Sequence, residues 1–526
     1  MKRFSLIAVC FVLVSFTSKA QNNDIGWKYA QSITEQSLKD VLTIIASEQM
    51  QGRETGTEGQ RRAAIYIENK FKQIGLKAPQ SLGGYQQKYP LYRDSVISES
   101  FSLAGTNLVN QTDYVVLAGS ARAQTIKSSQ VVFAGYGIDD EKYSDYKGRD
   151  VKGKVVLVLN GEPKDGDNSL ISGTTRPSNW SFGANRKAAA AMQHGATAIL
   201  FVDPSMEEFP NYLRNFGRSS NLTFPRENEA ERPAVVYLKK AQLENIFGAA
   251  TAKKITDAFD AKKSMAAIKA TAKKNVEVSY AKKRFSVLAS NIVGYIEGTD
   301  LKDEYVVLSG HYDHLGMRNG VIYYGADDDG SGTTGVIDMA EAFMRAVKDG
   351  HRPRRTIVFL AVSGEEKGLW GSEYYSQHPV FPLEKTTVNL NTDMIGRIDP
   401  NRKYGDSTNY VYVIGNDKLS SDLDPISKSV NDKYTKLELD YKYNDPKDPE
   451  RIYYRSDHYN FAKHGVPIIF YFDGIHKDYH KPSDTVDKIN FDVMLKRVQY
   501  TFMTAWDMAN RNDMLKRDIP LPEMAR

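Results

Sequence analysis

Apolar and polar positions along this 526-residue chain change their spacing twice, and each change marks a different kind of structure. From Ile33 to Leu76 the spacing is helical: Leu38, Val41, Leu42 and Ile45 recur at three and four, and Ala63, Ile65, Tyr66 and Phe71 keep a looser version. Between them, residues 50–59 are punctuated by Gly52, Gly56 and Gly59 and read as a loop leading into the second helix. From about Ser102 to Lys283 short apolar runs take over. Residues 131–137 and 154–159 read as buried strands, 185–194 as an alanine-rich helix, and 195–202 as another strand. From Ser290 onward apolar runs at 291–296, 305–309, 356–362, 388–391 and 466–471 alternate with or flank helical patterns at about 333–347 and 491–509. That alternation predicts an α/β fold with a mixed, largely parallel sheet sandwiched by helices.

Length argues for more than one core. The pattern suggests residues 21–105 as the first part of a main domain, 106–284 as an inserted β-rich α/β domain, and 285–526 as the rest of the main domain. Composition is that of a soluble globular protein, with 41% hydrophobic and 26% charged residues. Residues 1–20 stand apart. Lys2 and Arg3 precede the apolar run 6–16, which ends in Ser18-Lys19-Ala20, the pattern of a cleaved signal peptide. The alternative is a short N-terminal membrane anchor, although the run is too short to span a bilayer. The expectation is a secreted or periplasmic protein with no integral membrane span after signal removal. Cleavage after Ala20 takes away Cys10, the only cysteine, so no disulfide is expected. It also removes Lys2, Arg3 and Lys19, leaving 67 basic against 65 acidic residues. With lysine pairs spaced as solvated faces, nothing points to nucleic acid.

Five residues change the picture from fold to chemistry. They are His311 in Ser309-Gly310-His311-Tyr312-Asp313, Asp328 in Gly325-Ala326-Asp327-Asp328-Asp329-Gly330, Glu366 in Ser363-Gly364-Glu365-Glu366, Asp393 in Asn391-Thr392-Asp393, and His480 in Asp478-Tyr479-His480. Singly each is bland: three aspartates make a solvated turn, and Glu365-Glu366 suits a helix start. Together, four of them fall at or just past predicted strand ends, where open α/β sheets gather their sites. Two imidazoles and three carboxylates suit a pair of Zn²⁺-like ions, with one carboxylate bridging. Glu365 adjoins a ligand and is placed to act as a base. The Gly330–Gly335 stretch fits G-x-G-x-x-G, yet the preceding aspartates would repel a pyrophosphate, and its small residues suit close packing instead. Neither H-E-x-x-H nor G-x-S-x-G occurs.

These motifs, with Gly364-Glu365-Glu366-Lys367-Gly368-Leu369-Trp370-Gly371-Ser372 and Tyr479-His480-Lys481-Pro482-Ser483-Asp484-Thr485, resemble the M28 family of zinc peptidases over about residues 286–510. The middle of the chain resembles a protease-associated (PA) domain, entered through residues 147–154. The resemblance implies two zinc ions per chain. His311 and Asp393 would bind one, Glu366 and His480 the other, and Asp328 both. The triple aspartate leaves that register open by one residue, and alignment on Gly330-Ser331-Gly332 favours Asp328. Glu365 would be the general base, Asp313 would orient His311, and Tyr479 would stabilise an oxyanion. His476 competes with His480 for the last position. Ser456-Asp457-His458 reads as pocket wall or as support behind the ligands, structural rather than ligating. Arg455 and Arg53 are candidates either for a substrate carboxylate or for ion pairs within the fold. The implied function is a di-zinc aminopeptidase acting on peptide substrates. The alternatives are a metallo-carboxypeptidase or dipeptidase, a single-zinc glutaminyl cyclase-like acyltransferase, and a binding module without catalysis.

Overall fold

The computed structural model describes residues 24–225 and 232–523, so the leader assigned to residues 1–20 lies outside the described residues. Contacts divide the chain into two units, one formed by residues up to Pro90 together with Leu288–Arg526, the other by Leu91–Val287. The sequence pattern set its seams at 105/106 and 284/285, against divisions at 90/91 and 287/288. The strands Gln86–Leu103 and Val276–Ile296 each run on through a division without a turn, which is why no sequence signal marks the position.

In the first unit the sheet order is Val276–Ile296, Arg355–Val362, Leu301–His311, Thr386–Thr392, Ile468–Phe472, Tyr410–Ile414 and Glu438–Asp440. The four strands from Arg355–Val362 to Ile468–Phe472 are mutually parallel, whereas Val276–Ile296 and Tyr410–Ile414 run antiparallel to their inner neighbours. Side chains alternate between two apolar layers, as the pleat requires. Ile357, Phe359 and Ala361 join the core under the helices Glu35–Ile45, Glu58–Ile74, Gly332–Lys348 and Phe491–Asn510. Val358, Leu360 and Val362 join the other layer, with Tyr375, Phe461 and Phe470. Burial on both faces explains why these strands read as unbroken apolar runs.

Local signals fix the helix ends. Thr34 caps Glu35–Ile45 reciprocally with Ser37, and Gly75 closes Glu58–Ile74 at φ 95°. Gly332 opens the helix Gly332–Lys348 where a Cβ would lie 2.2 Å from the Thr392 carbonyl oxygen. The glycine pattern there serves close helix-to-sheet approach.

The second unit holds a six-stranded sheet in the order Thr271–Ala272, Val131–Phe133, Val155–Leu159, Ala198–Val202, Val235–Leu238, Tyr114–Leu117, its middle four strands parallel. The helix Asn185–Gln193 connects Val155–Leu159 to Ala198–Val202. Buried Lys187 donates to the carbonyls of Tyr136, Leu159 and Gly161 at 2.7–2.9 Å. Among the described residues no helix is long and apolar enough to cross a membrane.

Candidate metal centre

The four parallel strands of the first unit end at one edge of the sheet, and the predicted residues leave from that edge. His311 is the last residue of Leu301–His311, and Asp393 directly follows Thr386–Thr392. Glu365 and Glu366 follow Arg355–Val362 by a short turn, and His480 lies in the loop beyond Ile468–Phe472. Asp328 comes from the turn before Gly332–Lys348, and its peptide bond to Asp329 is cis.

These five side chains converge. His311 Nε2 lies 3.4 Å from Asp328 Oδ1 and 3.5 Å from Asp393 Oδ1. His480 Nε2 lies 3.2 Å from Asp328 Oδ2 and 3.2 Å from Glu366 Oε2. Asp328 therefore turns one oxygen to each imidazole. Two ligand atoms sharing one tetrahedral zinc stand roughly 3.3–3.6 Å apart, given bonds of about 2.0–2.2 Å. The spacing is that of donors around shared ions. His311 Nε2 and Asp328 Oδ2 are buried and make no hydrogen bond, which is costly unless a cation takes their lone pairs. The electrostatics agree. Burial alone would push both imidazoles towards neutrality, but Asp393 and Glu365 hold the His311 pKa well above its ordinary value. Asp328 and Glu366 likewise raise His480 to about 10. The cluster attracts positive charge, and its N/O donor set fits zinc.

The backbone resolves the aspartate register. Asp327 accepts from the Gly396 amide and faces His476 Nε2 at 3.1 Å. Asp329 also comes within reach of His311 and Asp393. Its oxygens, however, accept from the amides of His311, Gly332 and Met394 at 2.8–3.0 Å. Asp328 alone is free to bridge. His476, committed to Asp327, does not face Asp328 or Glu366, whereas His480 does.

Residues 291–505 match Peptidase family M28. The match covers 215 of the 526 residues, all of them in the first unit. The probable leucine aminopeptidase of Arthroderma otae is 29% identical over 216 residues, covering 40% of this chain and 56% of that protein. The glutamate carboxypeptidase 2 homolog of Caenorhabditis briggsae is 37% identical over 107 residues, covering 20% of this chain and 13% of that protein. The chain thus spans about half, or less, of the length of these curated relatives. The aminopeptidase from Aneurinibacillus sp. strain AM-1 shares the fold at 16% identity, with a TM-score of 0.51 over 95% of this chain and 100% of that one.

Around the candidate metal centre, supporting contacts hold each group. His311 Nδ1 lies 3.1 Å from the Asp313 main-chain oxygen and 3.6 Å from its carboxylate. The imidazole N–H goes to the backbone oxygen, which leaves Nε2 as the lone-pair face. The Asp313 carboxylate instead accepts from Thr55 Oγ1 at 2.7 Å and from the Glu365 amide at 3.2 Å. Asp313, expected to orient His311, meets its imidazole through the main-chain carbonyl, while its side chain fixes the turn that carries Glu365. Ser456 Oγ donates to Asp393 Oδ2 at 2.6 Å, so this part of the Ser456-Asp457-His458 stretch supports a ligand from behind. His458 Nε2 is bonded to the Tyr453 carbonyl, and burial lowers its pKa to about 3.

Glu365 Oε2 lies 3.8 Å from His311 Nε2. Burial raises its pKa well above the ordinary carboxyl value, and Glu366, Asp393 and Asp457 add to this against the opposing charge of His311. Tyr479 stacks on His480 at 3.8 Å between ring centroids. Its hydroxyl accepts from an Arg455 guanidinium nitrogen at 3.0 Å. Burial and the charge of Asp328 raise its pKa. Tyr479 and Arg455 line a pocket with Asp328, Glu365 and Asp393, its remaining walls being Met394, Ile452, Phe470, Phe472 and Ile475.

Two residues were misread or missed in the sequence. Arg53 touches neither carboxylate nor pocket: buried, it donates to the carbonyls of Ile45, Tyr312, Tyr324 and Gly325 at 2.7–2.9 Å. The guanidinium fork suits several acceptors converging from separate loops. His314 was given no role, yet it is fully buried with Nδ1 2.7 Å from Glu366 Oε1. Its only signal was its position three residues beyond His311.

Proposed function

We propose that this chain is a di-zinc aminopeptidase that releases N-terminal residues from peptides. The carrying observation is Asp328, whose two oxygens face imidazoles on opposite sides, with Glu365 beside the first of them. Zinc bound there would acidify a water molecule and polarise the scissile carbonyl. Glu365 takes the proton of the attacking water and passes it to the departing amine. Tyr479 donates to the oxygen that becomes negative in the tetrahedral adduct. Arg455 already donates to the Tyr479 oxygen, so the hydroxyl proton is free for that role. The apolar walls Ile452, Phe470, Phe472 and Ile475 suit an aliphatic or aromatic substrate side chain.

Two further readings belong to the proposal. The strand–helix–strand succession of the second unit supports a PA-type domain, and the residues before Gln21 support export through a signal peptide.

Arg455 favours a second reading. It is exposed at the pocket and, among the described residues, has no carboxylate within ion-pair distance in the contacts it makes. A carboxypeptidase or dipeptidase would use such a cation on its substrate's C-terminal carboxylate. Aminoacyl fluorogenic substrates and paired free and N-acetylated peptides, each assayed with chelator and with zinc, decide between the two. Zinc-dependent hydrolysis of free but not acetylated peptides is expected. Release of the C-terminal residue from an acetylated peptide would replace the aminopeptidase reading. A single zinc with cyclisation of N-terminal glutamine would indicate the acyltransferase, and metal binding without turnover a binding module.

A further inference from the structure

We propose that His314 is a third imidazole ligand of the centre, joining Asp328, Glu366 and His480 around the second cation. This rests on the two-cation reading above and adds a donor to it. His314 is fully buried, and both of its ring nitrogens lack a hydrogen-bond partner. A buried imidazole normally satisfies at least one nitrogen, so a ring with neither satisfied calls for an explanation. Nδ1 lies 2.7 Å from Glu366 Oε1 and 3.8 Å from Asp328 Oδ2, and His480 approaches the same Asp328 oxygen and the other oxygen of Glu366. The ligand atoms of His314, Asp328 and Glu366 all lie within 4.8 Å of one another.

A plain hydrogen bond from His314 to Glu366 is the competing account. At 2.7 Å the two atoms stand at hydrogen-bond distance, closer than two donors on one zinc, although neither Nδ1 nor Glu366 Oε1 has an aligned partner. A cation between them would part the two atoms by a few tenths of an ångström, and the imidazole count below separates the two accounts. The fold also holds the ring in place. Gly325 packs against it where any Cβ would lie 2.5 Å from Cγ and Cδ2, and Gly325 is itself held by Arg53.

The two cation positions are then unlike. The first has one imidazole, His311. The second has two: His314, locked inside the fold, and His480, on a loop with its side chain 38% exposed. The inner histidine secures the ion, so the outer one can shift as substrate enters.

The test is X-ray absorption of the full-length, zinc-loaded protein, which counts imidazoles from their outer-shell scattering, together with zinc content and chelator competition. Wild type is expected to hold two zinc ions sharing three imidazoles. His314→Ala is expected to lose one imidazole and to weaken the second zinc by roughly tenfold or more. His480→Ala is expected to keep part of its second zinc. Two zinc ions sharing only two imidazoles in wild type overturn the inference alone, even if His314→Ala does not fold. Fewer than two zinc ions in wild type overturn the two-cation reading along with it. An unchanged imidazole count in His314→Ala also refutes the assignment.

Discussion

Replacing Arg53 with methionine tests whether the metal-bearing loops are held by backbone carbonyls, as the structure indicates. Methionine keeps much of the stem's bulk and removes four hydrogen bonds, to Ile45, Tyr312, Tyr324 and Gly325. An acceptor left unpaired on burial costs about 1–3 kcal/mol. Four at the low end of that range come to about 4 kcal/mol, and relief of the guanidinium's own desolvation offsets part of it. Burial works against the Arg53 charge, while Asp313, Asp328, Asp329 and Asp484 support it. Removing it leaves those carboxylates with less compensation, a deficit that bound cations would fill. The expected loss is therefore about 3 kcal/mol in chelator and smaller in excess zinc. Urea unfolding in both conditions measures it. A chain of two units need not unfold in one step, so hydrogen exchange at amides around 311–314 and 324–326 is read alongside. Superimposable unfolding curves for variant and wild type in chelator would refute the carbonyl-clamp account.

Three further outcomes are expected. Glu365→Gln should keep wild-type zinc content while turnover of an aminoacyl fluorogenic substrate falls by about 10²–10⁴-fold; near-normal turnover removes Glu365 from the proton-transfer role. Tyr479→Phe preserves the ring stacked on His480, so zinc binding should be unchanged while kcat falls by about 10²–10³-fold; a change confined to KM would assign the hydroxyl to substrate binding. Lys187→Met leaves three buried carbonyls of the second unit without their donor, for a loss of about 2–3 kcal/mol there and no change in zinc content; exchange mass spectrometry that places the loosening elsewhere contradicts it.

The parts of the fold that were legible in the sequence share one cause. Strands such as Arg355–Val362 and Thr386–Thr392 are buried on both faces, so they appear as uninterrupted apolar runs. Helices such as Glu35–Ile45 and Glu58–Ile74 expose one side, and their periodicity is visible. Tyr410–Ile414 is equally buried but escaped notice, since its alternating tyrosines satisfy their hydroxyls by tertiary bonds. Tyr410 donates to the Asp473 carbonyl and Tyr412 to Asp399. Nothing within the segment distinguishes such tyrosines from exposed ones. The seams between units were blurred for a different reason: a long strand crossing a division leaves no turn residue behind.

The site divides along a similar line. A residue that projects directly from a strand end, such as His311 or Asp393, carries its context with it in sequence. Residues whose role depends on a partner far along the chain do not. Asp327, Asp328 and Asp329 are identical letters, and only the amides of Gly396 and Met394 and the ring of His476 distinguish them. Arg53 looked like a cation in search of an anion, because a sequence displays charges and hides carbonyls. His314 differs from a packing histidine only in having no hydrogen-bond partner, a property that exists once Glu366 and Asp328 are folded against it. What the sequence omits is therefore the complement of each polar group, and it is that complement which separates Asp328 from its two neighbours and His314 from a hydrogen-bonded buried ring.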